Sequence, residues 1–213
     1  MSPRKSAVDA LTTRDRILDH ALRAAATRGL EGVTIGTLAA KLGMSKAGVL
    51  GHFGTKEALQ IAVLHEAADR FRQRVPVRAA AAAPGLPRVL AAHTEWFAHM
   101  AEDSAGCLMS DAAAEFDARP GLVRDTVLAA MDAWTTYLRR ELETAQQAGD
   151  LPGYADLDQL LFELGGAALA TARAIGIGDN GRDQGDRDAE VAARRGRHAV
   201  EKILASPYRA DLD

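Results

Sequence analysis

Residues 34–64 read TIGTLAAKLGMSKAGVLGHFGTKEALQIAVL. Thr34 stands where a helix cap would, and Ile35, Leu38, Ala39 and Leu42 follow at i, i+3, i+4 and i+7, the period of one buried helical face. Gly43 breaks that short helix. Ser45 can cap a second one, running to about Phe53, and Gly54-Thr55 breaks again before a long helix from Lys56 to about Val75. Two short helices joined through a glycine have the spacing of a helix-turn-helix. The second helix of such a pair lies in the DNA major groove with its N-terminal residues at the base edges. Ala47 and Gly48 are small enough there to let the backbone approach closely. The Ser45 hydroxyl and the helix N-terminus can meet a phosphate, and Lys46 a phosphate or a guanine edge. His52 and Lys56 are placed to hold the flanking backbone, as Thr34 can through its hydroxyl and N–H. Phe53 is expected to plug the three-helix core. Taken singly, capping and solvated charge explain each polar residue; together, at this spacing, they read as DNA contacts.

The stretch resembles the DNA-binding module of the TetR family of bacterial transcriptional repressors. The likeness rests on the Thr that opens the second helix, Ala39-x-x-x-Gly43, Ser45-Lys46, Phe53, and Thr55-Lys-Glu-x-Leu59. Two positions depart from it. Family members carry tyrosines or a phenylalanine in the middle of the third helix, where this chain has Leu50 and Gly51. A phosphate-contacting phenol is therefore missing, Leu50 can touch a thymine methyl instead, and Gly51 weakens the helix by up to about 1 kcal/mol. The resemblance implies nine or ten helices: the first three on DNA, four to seven around a ligand, and eight and nine in the four-helix interface of a homodimer. GCLMSDAAAEFDARPG (106–121) resembles a stretch seen in one branch of the family.

Composition agrees with an all-α chain. The 213 residues allow one large domain or two small ones, and 47% hydrophobic residues suffice for a core. Aromatics are only 5% and alanine is frequent, which favours close-packed helices over a sheet. No apolar run reaches membrane-spanning length, and the N-terminus has no secretory pattern. The single cysteine, Cys107, excludes an internal disulfide and reads as a small buried hydrophobe in a cytoplasmic protein. Net charge is −3, but residues 1–60 carry +4 and the remainder −7, as for a DNA-contacting end on an acidic body.

Along the chain, Thr12 or Thr13 is expected to cap the first helix, with Asp15 in a capping box and Ile17, Leu18, Ala21, Leu22 and Ala25 as its apolar stripe; Gly29 ends it. PVRAAAAAPGLPR (76–88) reads as a loop with one helical turn. Helices are predicted at about 87–101, 107–116, 120–148, from Asp156 onward, and 188–205, with GIGDNGRDQGDRD (176–188) mobile. The expected division is residues 11–56, binding DNA, and residues 57–205, binding ligand and dimerising. No repeat or strand is legible.

Within the body, Trp96, Met100, Met131, Trp134, Tyr137 and Phe162 are either core or the lining of an apolar effector pocket, with a Trp N–H or Tyr O–H orienting the ligand. His93, Glu95 and His99 are not spaced as metal ligands, because His93 lies well round the helix. Asp111, Glu115 and Asp117 read as a solvated acidic face. No catalytic constellation, metal site or cofactor is implied. Leu160, Leu161, Leu164, Ala168 and Leu169, with Val200, Ile203 and Leu204, form apolar stripes that are either protomer core or a dimer interface. One recognition helix reads too few base pairs, whereas a twofold dimer presents two, roughly 34–36 Å or a multiple apart.

The sequence thus implies a DNA-binding transcriptional regulator: a homodimer on a pseudo-palindromic double-stranded operator, released by a small-molecule effector, with no membrane partner. The alternative is a helical small-molecule-binding or enzymatic protein whose DNA-binding module is unused, a reading that Leu50 and Gly51 keep open.

Overall fold

The computed structural model describes residues 3–103, 107–178 and 185–206. These residues form ten helices and no strand. The first five are α1 (Pro3–Arg28), α2 (Ile35–Leu42), α3 (Lys46–Phe53), α4 (Lys56–Arg74) and the single turn α5 (Pro76–Ala79). The others are α6 (Leu86–Asp103), α7 (Leu108–Phe116), α8 (Leu122–Ala148), α9 (Leu157–Gly178) and α10 (Gly185–Ala205). Most ends fall where caps and glycines place them. Thr34, Ser45 and Thr55 accept the N–H of Thr37, Gly48 and Ala58 at 3.1, 3.0 and 3.0 Å. Asp156 Oδ1 accepts from Asp158 and Gln159 at 2.9 and 3.1 Å at the start of α9. Gly43, at φ 64°, closes α2 in the left-handed conformation that a Cβ would penalise.

Two local expectations are corrected. Thr12 and Thr13 do not cap α1; the helix runs through them from Pro3. Pro at the first helical position gives up an N–H that has no helical partner anyway, and no Gly or Pro interrupts residues 4–28. Residues 176–178 and 185–188 of the glycine-rich segment are helical, in α9 and α10; residues 179–184 lie outside the described residues.

The chain divides into two compact units that are not continuous in sequence: Met1–Asp69 with Leu108–Ala129, and Arg70–Cys107 with Ala130–Asp213. This differs from the expected break at residue 57, and the reason is packing. The core of the first unit joins Ile17, Leu18, Ala21 and Ala25 of α1, Leu38 of α2, Val49 of α3, and Leu59, Val63 and Leu64 of α4. Ala112 and Phe116 of α7, with Val123 and Val127 of α8, complete it. The helix-turn-helix therefore shares its core with a segment about sixty residues further on.

In the second unit, α6, α8, α9 and α10 enclose a core built largely of leucine and alanine. Small side chains allow close crossings. At Gly196 of α10, an added Cβ would collide with the Thr171 side chain of α9 and lie 3.0 Å from Phe97 Cε2 of α6. A half-buried ion pair fixes the loop before α6: Glu141 of α8 takes the Gly85 N–H at 2.9 Å and Arg88 at 3.1 Å, while Arg88 donates to Ala82 O at 3.0 Å.

Candidate nucleic-acid interface and ligand-binding body

Helix α3 is anchored by Val49, which is fully buried, while Ser45, Lys46, Ala47, Leu50 and Gly51 are exposed. Of the residues expected on DNA, Ser45, Lys46, Ala47 and Leu50 are thus exposed on one short, capped helix, while Thr34 caps α2 and Lys56 opens α4. Capping uses a lone pair of the Ser45 hydroxyl and leaves its O–H available to an outside acceptor. The Lys46 stem lies over Gly36: a Cβ there would sit 3.4 Å from Lys46 Cε, so the glycine makes room for the lysine beside the α2 N-terminus. His52 and Gly48 are half-buried, and the His52 ring leans on Phe53 with centroids 6.4 Å apart. Phe53 packs on the first unit's core, as expected, and Arg14 of α1 lies over its ring at 5.2 Å.

Lys56 is engaged on the protein. Its Nζ donates to Glu31 Oε1 at 2.6 Å and to Glu31 O at 3.1 Å. Arg119 and Gln60 approach the other Glu31 oxygen at 3.4 and 3.5 Å. Lys56, by its hydrogen bond first, holds the Glu31 carboxyl below the usual range.

The α1–α2 turn is gripped from α7. Glu115 accepts the N–H of Leu30 and of Glu31, both at 2.8 Å, beneath Gly29 at φ 75°. The sequence reading of Glu115 as a solvated acid is corrected: the carboxylate is a clamp on the turn that aims α2 and, through α2, α3. Its partners lie 84 and 85 residues away, so no local pattern signals it.

The body is corrected in two places. Of the residues assigned to an effector pocket, Trp96, Trp134 and Tyr137 pack together and Met100 is buried, but Phe162 is 76% exposed and Met131 40% exposed. They point outward from α9 and α8. Of the residues assigned to dimerisation, Leu160, Leu164, Ala168, Val200 and Leu204 are buried in the protomer's own core, and Leu161 and Ile203 pack against it. Only Leu169, 58% exposed, faces out, on the side of α9 that carries Phe162 and the exposed Gly165 and Gly166. An i, i+4 stripe marks a buried face without saying what buries it.

Around the central tryptophans the body holds an aromatic cluster. Trp134 meets Phe71 and Trp96 edge-on, with centroids 5.1 and 5.4 Å apart, and stacks on Tyr137 at 5.4 Å. His93 is fully buried against Trp96, Phe97 and Trp134. Burial pushes its pKa down to about 4, against the opposing effect of its bond to Val89 O. Burial, and then the charge of Glu141, push Tyr137 up. Cys107 is half-buried beside the same core. Among the described residues, no group of three His, Cys, Asp or Glu is arranged to hold a metal, and no helix is long and apolar enough to cross a membrane.

No curated protein matches the sequence. Solved structures do. A TetR transcriptional regulator from Chloroflexus aurantiacus J-10-FL superposes with a TM-score of 0.79 at 24% identity, covering 95% of this chain and 99% of that one. FadR from Bacillus subtilis, in complex with stearoyl-CoA, gives 0.69 at 17% identity, over 91% and 98%. AibR, in complex with isovaleryl coenzyme A and operator DNA, gives 0.66 at 23% identity, over 84% and 95%. At these identities the likeness is one of fold. Residues 17–63 match the bacterial regulatory proteins of the tetR family, and residues 85–183 match the tetracyclin repressor-like C-terminal domain, about two thirds of the chain together. With its capped, outward-facing α3 and its helical body, the chain belongs to the TetR family of DNA-binding transcriptional regulators.

Proposed function

We propose that this chain is a homodimeric repressor that leaves its operator when a small organic molecule binds the second unit. The observation that carries the DNA-binding part is the exposure pattern of α3: Val49 is locked into the core while Ser45, Lys46, Ala47 and Leu50 are exposed. Ser45, Lys46, Thr34, His52 and Lys56 serve as phosphate or base-edge partners, and Ala47, Gly48 and Leu50 as the close-approach surface. Two fold neighbours hold acyl-CoAs, and one of these also holds operator DNA; both complexes support an effector-controlled switch. The second copy covers the outward side of α9, where Phe162 and Leu169 flank Gly165 and Gly166. Release requires only that the effector prefer one of two dimer geometries, with a coupling of about 1–3 kcal/mol.

The test is fluorescence anisotropy of a labelled duplex taken from upstream of the chain's own coding region, read from 50 to 200 mM salt, with sedimentation to give the oligomeric state. A dimer that binds this duplex more tightly than a scrambled one, with an affinity falling steeply in salt, supports the proposal. A strict monomer, or equal affinity for both duplexes at every salt concentration, overturns it.

A further inference from the structure

His93 lies on α6 with its Nδ1 2.8 Å from Val89 O. A carbonyl oxygen only accepts, so Nδ1 carries the proton, and in the neutral ring Nε2 is then a bare acceptor. That Nε2 is buried and no protein group donates to it; the Tyr137 hydroxyl is likewise buried without a protein partner. Buried polar atoms without partners are rare, because each forfeits its hydration for nothing. Here two occur within one cluster of rings. His93 and Phe97 form the floor, while Phe71, Trp96, Trp134 and Tyr137 are half-exposed.

We infer that this cluster is a binding site for an uncharged, ring-bearing molecule with a hydroxyl or N–H group, seated with that donor on His93 Nε2 and its ring among the aromatic side chains. The inference rests on reading the second unit as the effector-binding body, and it adds the chemical class of the effector. A ring suits walls that offer flat faces and edges to stack against. A donor is required because Nε2 can only accept. Charge is disfavoured on both sides. A neutral imidazole and a phenol give an anion no counter-charge. Glu141 is already paired with Arg88, Glu95 with Arg78 and Glu102 with Arg74, so these groups offer no free charge to an ion of either sign.

The protein's only two tryptophans, Trp96 and Trp134, both stand in the cluster, so emission excited at 295 nm reports the site without a label. Four probes share one body: 4-butylphenol, 4-butylanisole, 4-butylbenzoate and 4-butylbenzylammonium. The full chain is titrated with each, and the labelled upstream duplex is followed in parallel. The expected result is that the phenol shifts tryptophan emission and binds at least tenfold more tightly than the anisole, which lacks the donor, and more tightly than either ion. In His93→Leu the phenol-to-anisole ratio falls to about one. Tyr137→Phe, which keeps the ring, gives a second reading and weakens phenol binding several-fold should His93→Leu fail to fold. Equal binding of phenol and anisole, tighter binding of either ion, a ratio unchanged in both variants, or no probe moving the emission overturns the inference. Phenol binding with no duplex binding at any salt leaves the site standing and overturns the repressor reading. Duplex binding with no response to any probe does the reverse.

Discussion

The Glu115 clamp makes a sharp prediction. One carboxylate holds two backbone N–H groups, of Leu30 and Glu31, at 2.8 Å each. Hydrogen bonds to a charged acceptor contribute about 1.5–3 kcal/mol each. The Glu31 N–H is exposed and regains a water in Glu115→Ala, whereas the Leu30 N–H is part-buried and is left poorly satisfied. The loss should therefore sit at the low end of the sum, about 3–4 kcal/mol. Glu115→Gln should cost nearly as much, because a carboxamide keeps one accepting oxygen and turns an NH2 toward a second donor. Asp117→Ala, an exposed neighbour on the same acidic run, should stay within about 0.5 kcal/mol of wild type. Urea unfolding gives the stability. Hydrogen exchange resolved to the 29–34 peptide locates the effect, since those amides should lose at least tenfold protection before the rest of α1 does. A Glu115→Ala protein as stable as Asp117→Ala, with unchanged exchange in the turn, would refute the reasoning.

Four further outcomes are expected. His93 titrates near 4 when folded and near 6.5 when unfolded, so below pH 6.5 only the unfolded chain takes up the proton. Its contribution is intact above pH 6.5 and fades as pH falls toward 4; urea unfolding should show about 2 kcal/mol lost between pH 7 and pH 5, and a flatter profile in His93→Leu. Gly51→Ala should raise stability by about 0.5–1 kcal/mol, because the added methyl meets open space within α3; a lower melting temperature would contradict this. Gly196→Ala should lower stability by about 1–3 kcal/mol through collision with Thr171 and Phe97, read by the same unfolding assay. Lys56→Ala removes a half-exposed ion pair with Glu31 and a hydrogen bond to Glu31 O and should change stability by about 1 kcal/mol, yet reduce the salt slope of duplex binding by about one unit. An unchanged slope removes Lys56 from the DNA contacts.

Local chemistry was legible in the sequence because its causes lie within one or two helical turns. Thr34, Ser45, Thr55 and Asp156 cap helices because a side-chain oxygen reaches an N–H two or three residues on. Gly43 ends α2 because only a residue without a Cβ takes φ 64° freely. The exposure of α3 follows from its having one buried residue, Val49, in eight. Those short-range rules determined an all-helical chain with a helix-turn-helix near its N-terminus. What they left open, the tertiary structure decided. Leu160, Leu164 and Ala168 repeat at the helical period whether a neighbouring helix or a second subunit covers them, and only the packing of α6, α8 and α10 assigns them to the protomer core. Glu115 looks like any surface acid until folding brings it under the Leu30 and Glu31 amides. Gly196 looks like a weak point in a helix until α9 and α6 crowd against it. In each case the deciding partner lies tens of residues away, where periodicity and capping carry no information.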